Sequence, residues 1–396
     1  MKKSVFKKAR FPEIIQFFIA MAIIMEIPFL GRFPIVASTQ SALQVLLAIL
    51  ILIQLIRKSK ISRYNILLII CLALYIFSTY LNNGNIKGVL SESLGVLSLS
   101  LLIEYGLKEK RVGLMKGAYY FFLCCVVINL VTLFASPTGL YVTENLQYAT
   151  KLNWFLGYKN LHILFLFQLI LWGVIYDIYN KKKVSKKTII ATALSFITAM
   201  AAKSTTTLVG LIIIAILLLL NELRKDVKIL RIYNFLILYI ATFISIVFLR
   251  LQEKYDDFIF DLTQKHSDFV GRTNIWDSVL GFIKERPLIG YGKEESIIRQ
   301  TKTIRWQAAH AHNGILEVFY RIGVVGAALV AALIGMSFRE LNKHKNEKIT
   351  KALIAMIASM FVMLLTEYYA PQFIIPLLTI AYNIRYLLNG KEKITG

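Results

Sequence analysis

Charge is what this chain is poorest in. Of its 396 residues only 17% are Asp, Glu, Lys or Arg, while 57% are hydrophobic; a soluble domain carries about 25% charged residues. A soluble globular protein is thereby excluded, and an integral membrane protein is left. Acid is scarcer than base, with 23 Asp and Glu against 46 Lys and Arg and a formal net charge of +23. In a soluble chain that imbalance would point to nucleic acid. Here the basic residues gather in short segments between apolar runs, which is how membrane topology is encoded, so no nucleic-acid partner is expected. The three cysteines, Cys71, Cys124 and Cys125, all fall inside apolar runs and offer neither a disulfide framework nor metal-ligand spacing. No internal repeat is visible. The basic start MKKSVFKKAR leads into an apolar run, Glu13 to Leu30, longer than a signal-peptide core and without a cleavage site. It reads as an uncleaved first span.

What the chain does have is apolar sequence in lengths that suit a bilayer, for which about 20 residues are needed per helix. The expectation is an all-α integral membrane protein, a single polytopic domain over 1–396 with about twelve transmembrane helices: 13–30, 36–56, 64–82, 89–106, 113–135, 160–179, 188–202, 206–221, 232–249, 314–338, 352–368 and 372–389. The stretch 188–221 also reads as one broken pair bent at Lys203-Ser204-Thr205. Lysine and arginine concentrate in alternate connections, which predicts both termini in the cytoplasm. The two longest loops, 136–159 and 250–313, then face outward.

The polar residues of interest collect from Gly271 to Gly326, first as GRTNIWDSVLGFIKERPLIGYG and then as AHAHNGILEVFYRIGVVG. Ile275, Trp276, Val279, Leu280 and Ile283 recur at helical spacing, with Thr273 as a start signal and Pro287 as a stop. An amphipathic helix is predicted there, lying on the outer leaflet as a roof over the spans. Trp154, Trp276 and Trp306 sit in the two outer loops, either as an aromatic belt at the headgroups or as stacking faces for sugar rings. Glu317 and Arg321 are four apart, acid first, which suits a mutual ion pair near lipid. Glu26, Glu92 and Glu104 lie in or near early spans without an evident partner. They mark an acceptor cavity or snorkel toward an interface. Gly323 and Gly326 read as close helix packing.

Arg272, Trp276, the Pro287–Gly292 turn, and His312-Asn313 entering a span with Gly323 and Gly326 resemble, in that order, the O-antigen ligase and Wzy-type polysaccharide polymerase family. Gly157-Tyr158-Lys159-Asn160 is similar to the segment that opens that family's middle span. Lys203-Ser204 lies where the family often has a serine–arginine pair, and a lysine cannot supply the arginine's bidentate fork. The resemblance covers most of 150–330. It implies glycosyl transfer from an undecaprenyl-pyrophosphate-linked oligosaccharide on the outer face of the bacterial cytoplasmic membrane, extending a capsule, O-antigen or exopolysaccharide. It implies a polymerase, with transfer to another acceptor as the near alternative and a chain-length regulator as a conceivable partner. A flippase for lipid-linked oligosaccharide is the alternative of a different class, but it calls for charge along a central cavity and no long outer loop.

The residue types suit such chemistry independently. A departing pyrophosphate needs cations; no outward D-x-D is present to hold a metal, since Asp256-Asp257 and Asp261 are irregularly placed. Arg272, Lys203, Arg305 and Arg321 are the expected substitutes, with no metal and no cofactor. Asn313, Asn160 and Trp276 complete the expected substrate contacts. His312 is the expected general base, because imidazole titrates near working pH; the plainer alternative is a histidine bonding a neighbouring carbonyl. Arg272 could equally bind headgroup phosphate. His310, two positions away, would point to the far side of a continuous helix. A His-x-His metal site would need further ligands, with Glu317 the nearest option.

Overall fold

A computed structural model describes residues 10–58, 61–143, 151–181, 183–223, 232–254, 269–295, 298–299 and 310–388. Every predicted apolar stretch lies on a helix: α1 Phe11–Ile24, α2 Pro34–Lys58, α3 Arg63–Leu81, α4 Ile86–Lys108, α5 Val112–Ala135, α6 His162–Lys181, α7 Lys186–Ala201, α8 Thr205–Leu223 and α9 Ile232–Val247. After a single turn, α10 Leu251–Lys254, come α11 Phe269–Glu285, α12 Gly314–Lys343, α13 Lys348–Leu364 and α14 Pro371–Tyr382. Among the described residues six of these (α2 to α6 and α12) are both long and apolar enough to cross a membrane. Large apolar side chains such as Ile35, Leu46, Ile56, Ile237 and Leu238 stay exposed along α2 and α9, which only a lipid surroundings makes favourable. This is a membrane protein.

Several boundaries depart from expectation for clear reasons. Helix α1 stops at Ile24, and its last carbonyls are taken by side-chain amides of α2. Gln40 donates to Ile23 and Met25 at 3.0 Å each, and Gln44 to Ile23 and Ile24 at 3.0 and 3.1 Å. Helix α13 ends at Leu364 rather than 368, because Pro371 opens α14 and holds Ala370 extended before it. Glu367 to Ala370 are thereby released from any helix. The loop 136–159 contributes a small antiparallel sheet, β1 Tyr141–Thr143, β2 Lys151–Trp154 and β3 Gly157–Tyr158.

The largest departure is inside α12. Gly323 has φ +60, and a Cβ there would run into the backbone of Leu288; the helix breaks at this point. The segment Pro287–Gly292 fits into the break. Val324 and Val325 N–H donate to Pro287 and Leu288 carbonyls (2.8 and 3.1 Å), and Tyr291 and Gly292 N–H donate to Tyr320 and Arg321 carbonyls (2.8 Å each). Ser78 of α3 closes the arrangement with a 2.6 Å bond to the Ile289 carbonyl. Non-helical backbone at this depth is tolerable only when protein groups satisfy it in this way. Gly323 therefore serves a backbone break, and the Pro–Gly run serves as the piece that fills it.

Since successive helices run in opposite directions, the ends of α1, α3, α5, α7, α9 and α13 gather with the starts of α2, α4, α6, α8, α12 and α14. Contacts confirm the gathering: Phe29 N–H reaches the Phe155 carbonyl at 3.3 Å, and Asn85 N–H reaches Lys293 at 2.7 Å. All the predicted site residues within the described chain stand at this one end. Arg305, Trp306, Asp256, Asp257 and Asp261 lie outside the described residues.

Candidate functional site

His312 is placed by a turn, not by a helix. Asn313 caps α12, its side-chain oxygen accepting from Ile315 and Leu316 N–H at 3.0 and 3.1 Å, while its amide donates to the Leu365 carbonyl at 2.9 Å. His312 precedes the cap with φ +48, a left-handed conformation that only a few residue types adopt readily. The same turn brings His310 beside it, ring centroids 4.1 Å apart, and His310 Nδ1 accepts the His312 N–H at 3.3 Å. The expectation that His310 points away fails because no helix runs through 310–313.

Trp276 holds the turn from below. Its indole N–H donates to the Ala311 carbonyl at 3.0 Å, and the ring is 1% exposed. Both the belt and the sugar-stacking readings give way to that burial. The apolar face of α11 packs on the protein too: Ile275, Trp276 and Val279 form a small core with Val247, Tyr291, Ala311, Leu316 and Tyr320. The predicted amphipathic helix exists, but its greasy face meets α12 rather than lipid. Trp154 is likewise buried, donating to the Ser136 carbonyl at 2.8 Å.

The residue that joins the site is Glu367, in the extended stretch after α13. One of its oxygens accepts from Arg272 Nη2 at 3.0 Å and the other faces His312 Nδ1 at 3.1 Å. Burial raises the Glu367 pKa, but the His312 hydrogen bond and the charges of His312 and Arg272 outweigh it and hold the carboxyl below its ordinary value. The carboxylate can only accept, so Nδ1 carries the hydrogen toward it and Nε2 is the ring nitrogen left to face a substrate. Burial, and then the neighbouring His312, lower His310 to about 3, which keeps it neutral.

Next to this triad lies a buried ion network. Glu317, wholly buried, receives both arms of Arg299 at 2.6 and 2.7 Å, Arg321 Nε at 2.6 Å and the Ala311 N–H at 2.8 Å. Arg321 also donates to the Tyr75 hydroxyl at 2.6 Å and stands 3.6 Å from Glu92, which Lys293 engages at 2.6 Å. The Glu317–Arg321 pair is present as expected, with Arg299 as a further and bidentate partner. Glu92 and Glu104, without partners in the sequence reading, have them here: Lys293 and Arg321 for Glu92, and Ser62, Asn65 and Lys108 for Glu104. Removing one member of such a buried pair costs roughly 3–5 kcal/mol.

Asn160 and Lys203 form a separate group. Ser204 Oγ donates to Asn160 Oδ1 at 3.0 Å, and the Lys203 side chain is exposed at a left-handed turn. No contact among the described residues joins Lys203 to Glu367. Tyr158, two positions before Asn160, feels the Glu367 charge: burial and then that charge raise the pKa of its hydroxyl.

His310, His312 and Glu367 could also present one ligand atom each to a metal ion, all within 4.8 Å of one another. The third ligand of the His-x-His alternative is therefore Glu367, since Glu317 is occupied by arginines. Arg272 on the same carboxylate opposes a second cation there. Arg299, Lys293 and Glu367 were all missed in sequence. Arg299 and Lys293 look like ordinary loop charges, and Glu367 stands 55 positions from His312 with no local pattern around it.

Residues 190–331 match the family model described as O-antigen ligase. The matched segment contains Lys203, Arg272, Trp276, His312, Asn313, Glu317, Arg321 and the Gly323 break; Asn160 and Glu367 fall outside it. No curated protein matches the chain.

Proposed function

The chain carries an O-antigen ligase family domain over residues 190–331, and on that premise we propose that it is a membrane glycosyltransferase that polymerises lipid-pyrophosphate-linked oligosaccharide repeats. The observation that carries the reading is the Glu367 carboxylate shared between the Arg272 guanidinium and the His312 imidazole. Glu367 orients His312 and stabilises the imidazolium that forms, as an acid does beside any histidine base. His312 Nε2 takes the proton from an acceptor hydroxyl as that oxygen bonds to the anomeric carbon. The bond from that carbon to the lipid pyrophosphate breaks, and the leaving group takes the electron pair. Arg272 meets the growing negative charge, with Lys203 and Arg305 as further cations. Arg321, held by Glu317 and Glu92, supports the site from within the bundle. Asn313 fixes the turn rather than the substrate, and Asn160 does the same for the Lys203 turn.

Twelve crossings, cytoplasmic termini and an outward-facing site fit this reading, as do the bacterial cytoplasmic membrane and an undecaprenyl carrier. The ion network around Glu317 and Glu367 lies at the end of the bundle that carries His312, which favours an enzyme over a flippase. The family description favours a second reading within the same chemistry, transfer of a finished glycan to a different acceptor. The test is incubation of purified protein with the native lipid-linked repeat, followed by gel separation. A ladder supports the polymerase. A single transferred product on another acceptor supports the ligase, and unchanged substrate rejects both.

A further inference from the structure

A cavity of about 440 Å³ lies on the other side of the stretch that carries Glu367, with Tyr368 and Tyr369 in its wall. It falls within the ~300–1,000 Å³ typical of small-molecule sites. Its polar lining holds one carboxylate and no lysine or arginine. Glu26 accepts the Ser91 hydroxyl at 2.9 Å, and among the described residues no cation pairs with it. The Gln40 amide hydrogens are already spent on the end of α1, which leaves that side chain as an acceptor. Ser41 and Gln372 complete the polar wall. Tyr368 is the partition: its ring lies 5.9 Å from that of His310 and under the Arg321 guanidinium at 4.7 Å, and its own residue also lines the cavity.

We propose that this cavity binds the terminal sugar of the acceptor saccharide, a neutral polyol. This rests on the glycosyl-transfer reading and deepens it. A carboxylate without a cation repels a pyrophosphate and accepts from hydroxyl groups, while tyrosine rings offer an apolar face to a sugar's C–H surface. Arg321 lies against Tyr368, with Arg299 and Lys293 joined to it through Glu317 and Glu92, and none of these cations lines the cavity, so the two substrates are sorted by charge around one residue. The acceptor hydroxyl crosses that partition to reach His312.

The test reads binding without turnover. The repeat oligosaccharide, freed from its native lipid by mild acid, is added to the full chain in nanodiscs and followed by saturation-transfer NMR. Saturation of its terminal sugar is expected, at least fivefold weaker in Glu26→Gln. A second variant, Gly31→Leu, narrows the cavity without removing a hydrogen bond, and a Cβ at Gly31 meets nothing within 4 Å. It should weaken saturation similarly, and inorganic pyrophosphate should not displace the sugar. Absence of saturation, saturation undiminished from wild type in both variants, or displacement by pyrophosphate overturns the proposal. Saturation in a protein that shows no transfer would sink the enzyme reading and keep the pocket. Normal transfer and saturation in both variants would do the reverse.

Discussion

At one end of the bundle Glu104 sits among Ser62, Asn65 and Lys108, and at the other Glu367 sits between an arginine and a histidine. Both carboxylates are buried, yet their partners differ in kind. Glu104 accepts from the Ser62 N–H at 2.9 Å and hydroxyl at 2.7 Å, and Asp177 at the same end accepts from the Ser185 N–H at 2.7 Å and the Thr188 hydroxyl at 2.6 Å. These acids tie the start of one helix to the body of another. Glu367, by contrast, bridges two ionisable side chains that come from distant parts of the chain. A carboxylate satisfied mostly by backbone, hydroxyl and amide donors fastens one helix to another; one shared between an imidazole and a guanidinium can take part in moving a proton.

The contrast can be broken experimentally. His312→Ala should abolish transfer, a loss of about 10²–10⁴ or more, with unchanged abundance in the membrane; normal product length in that variant would remove the base from the mechanism. Glu367→Gln should cost nearly as much, because the amide no longer fixes the imidazole's proton. It should also alter acid stability. The folded pKa of Glu367 lies below its unfolded value, so its contribution is full above that unfolded value, about 4.3. The contribution is lost as pH falls through the folded one. Thermal melts at decreasing pH should therefore show a drop in the wild type that Glu367→Gln lacks. Arg272→Lys should lower activity about tenfold or more if the guanidinium fork is used, and full retention would assign it a diffuse role.

At the opposite end the expectation inverts. Glu104→Gln should lower the melting temperature by a few degrees and leave the turnover of the surviving protein unchanged; a selective loss of turnover would erase the distinction between the ends. The smallest effect is expected from EDTA. Retained activity after chelation fits a cationic site, whereas strong inhibition would turn His310, His312 and Glu367 into metal ligands.

Most helices were legible, because each is a run of apolar residues near the length a bilayer demands. His312 and Arg272 were legible as polar residues in an apolar chain, and the family pattern named them in order. Glu367 was not, since an acid beside two tyrosines at the end of a span looks like any interfacial residue. The burial of Trp276 was hidden for a different reason: a tryptophan in a loop reads the same whether it faces lipid, sugar or protein. Gly323 was read as a packing glycine because a positive φ leaves no mark in a sequence beyond the glycine itself. Which segment fills the break is a long-range fact, with 35 positions between Leu288 and Gly323.

That break separates insertion from assembly. A hydrophobic stretch can enter the bilayer as soon as it is made, but the portion of α12 bearing Glu317 and Arg321 has its backbone satisfied only when Pro287–Gly292 packs against it and closes its open carbonyls and amides. That segment acts as a keystone: without it the break at Gly323 would leave backbone groups unpaired beside the residues that carry Glu317 and Arg321.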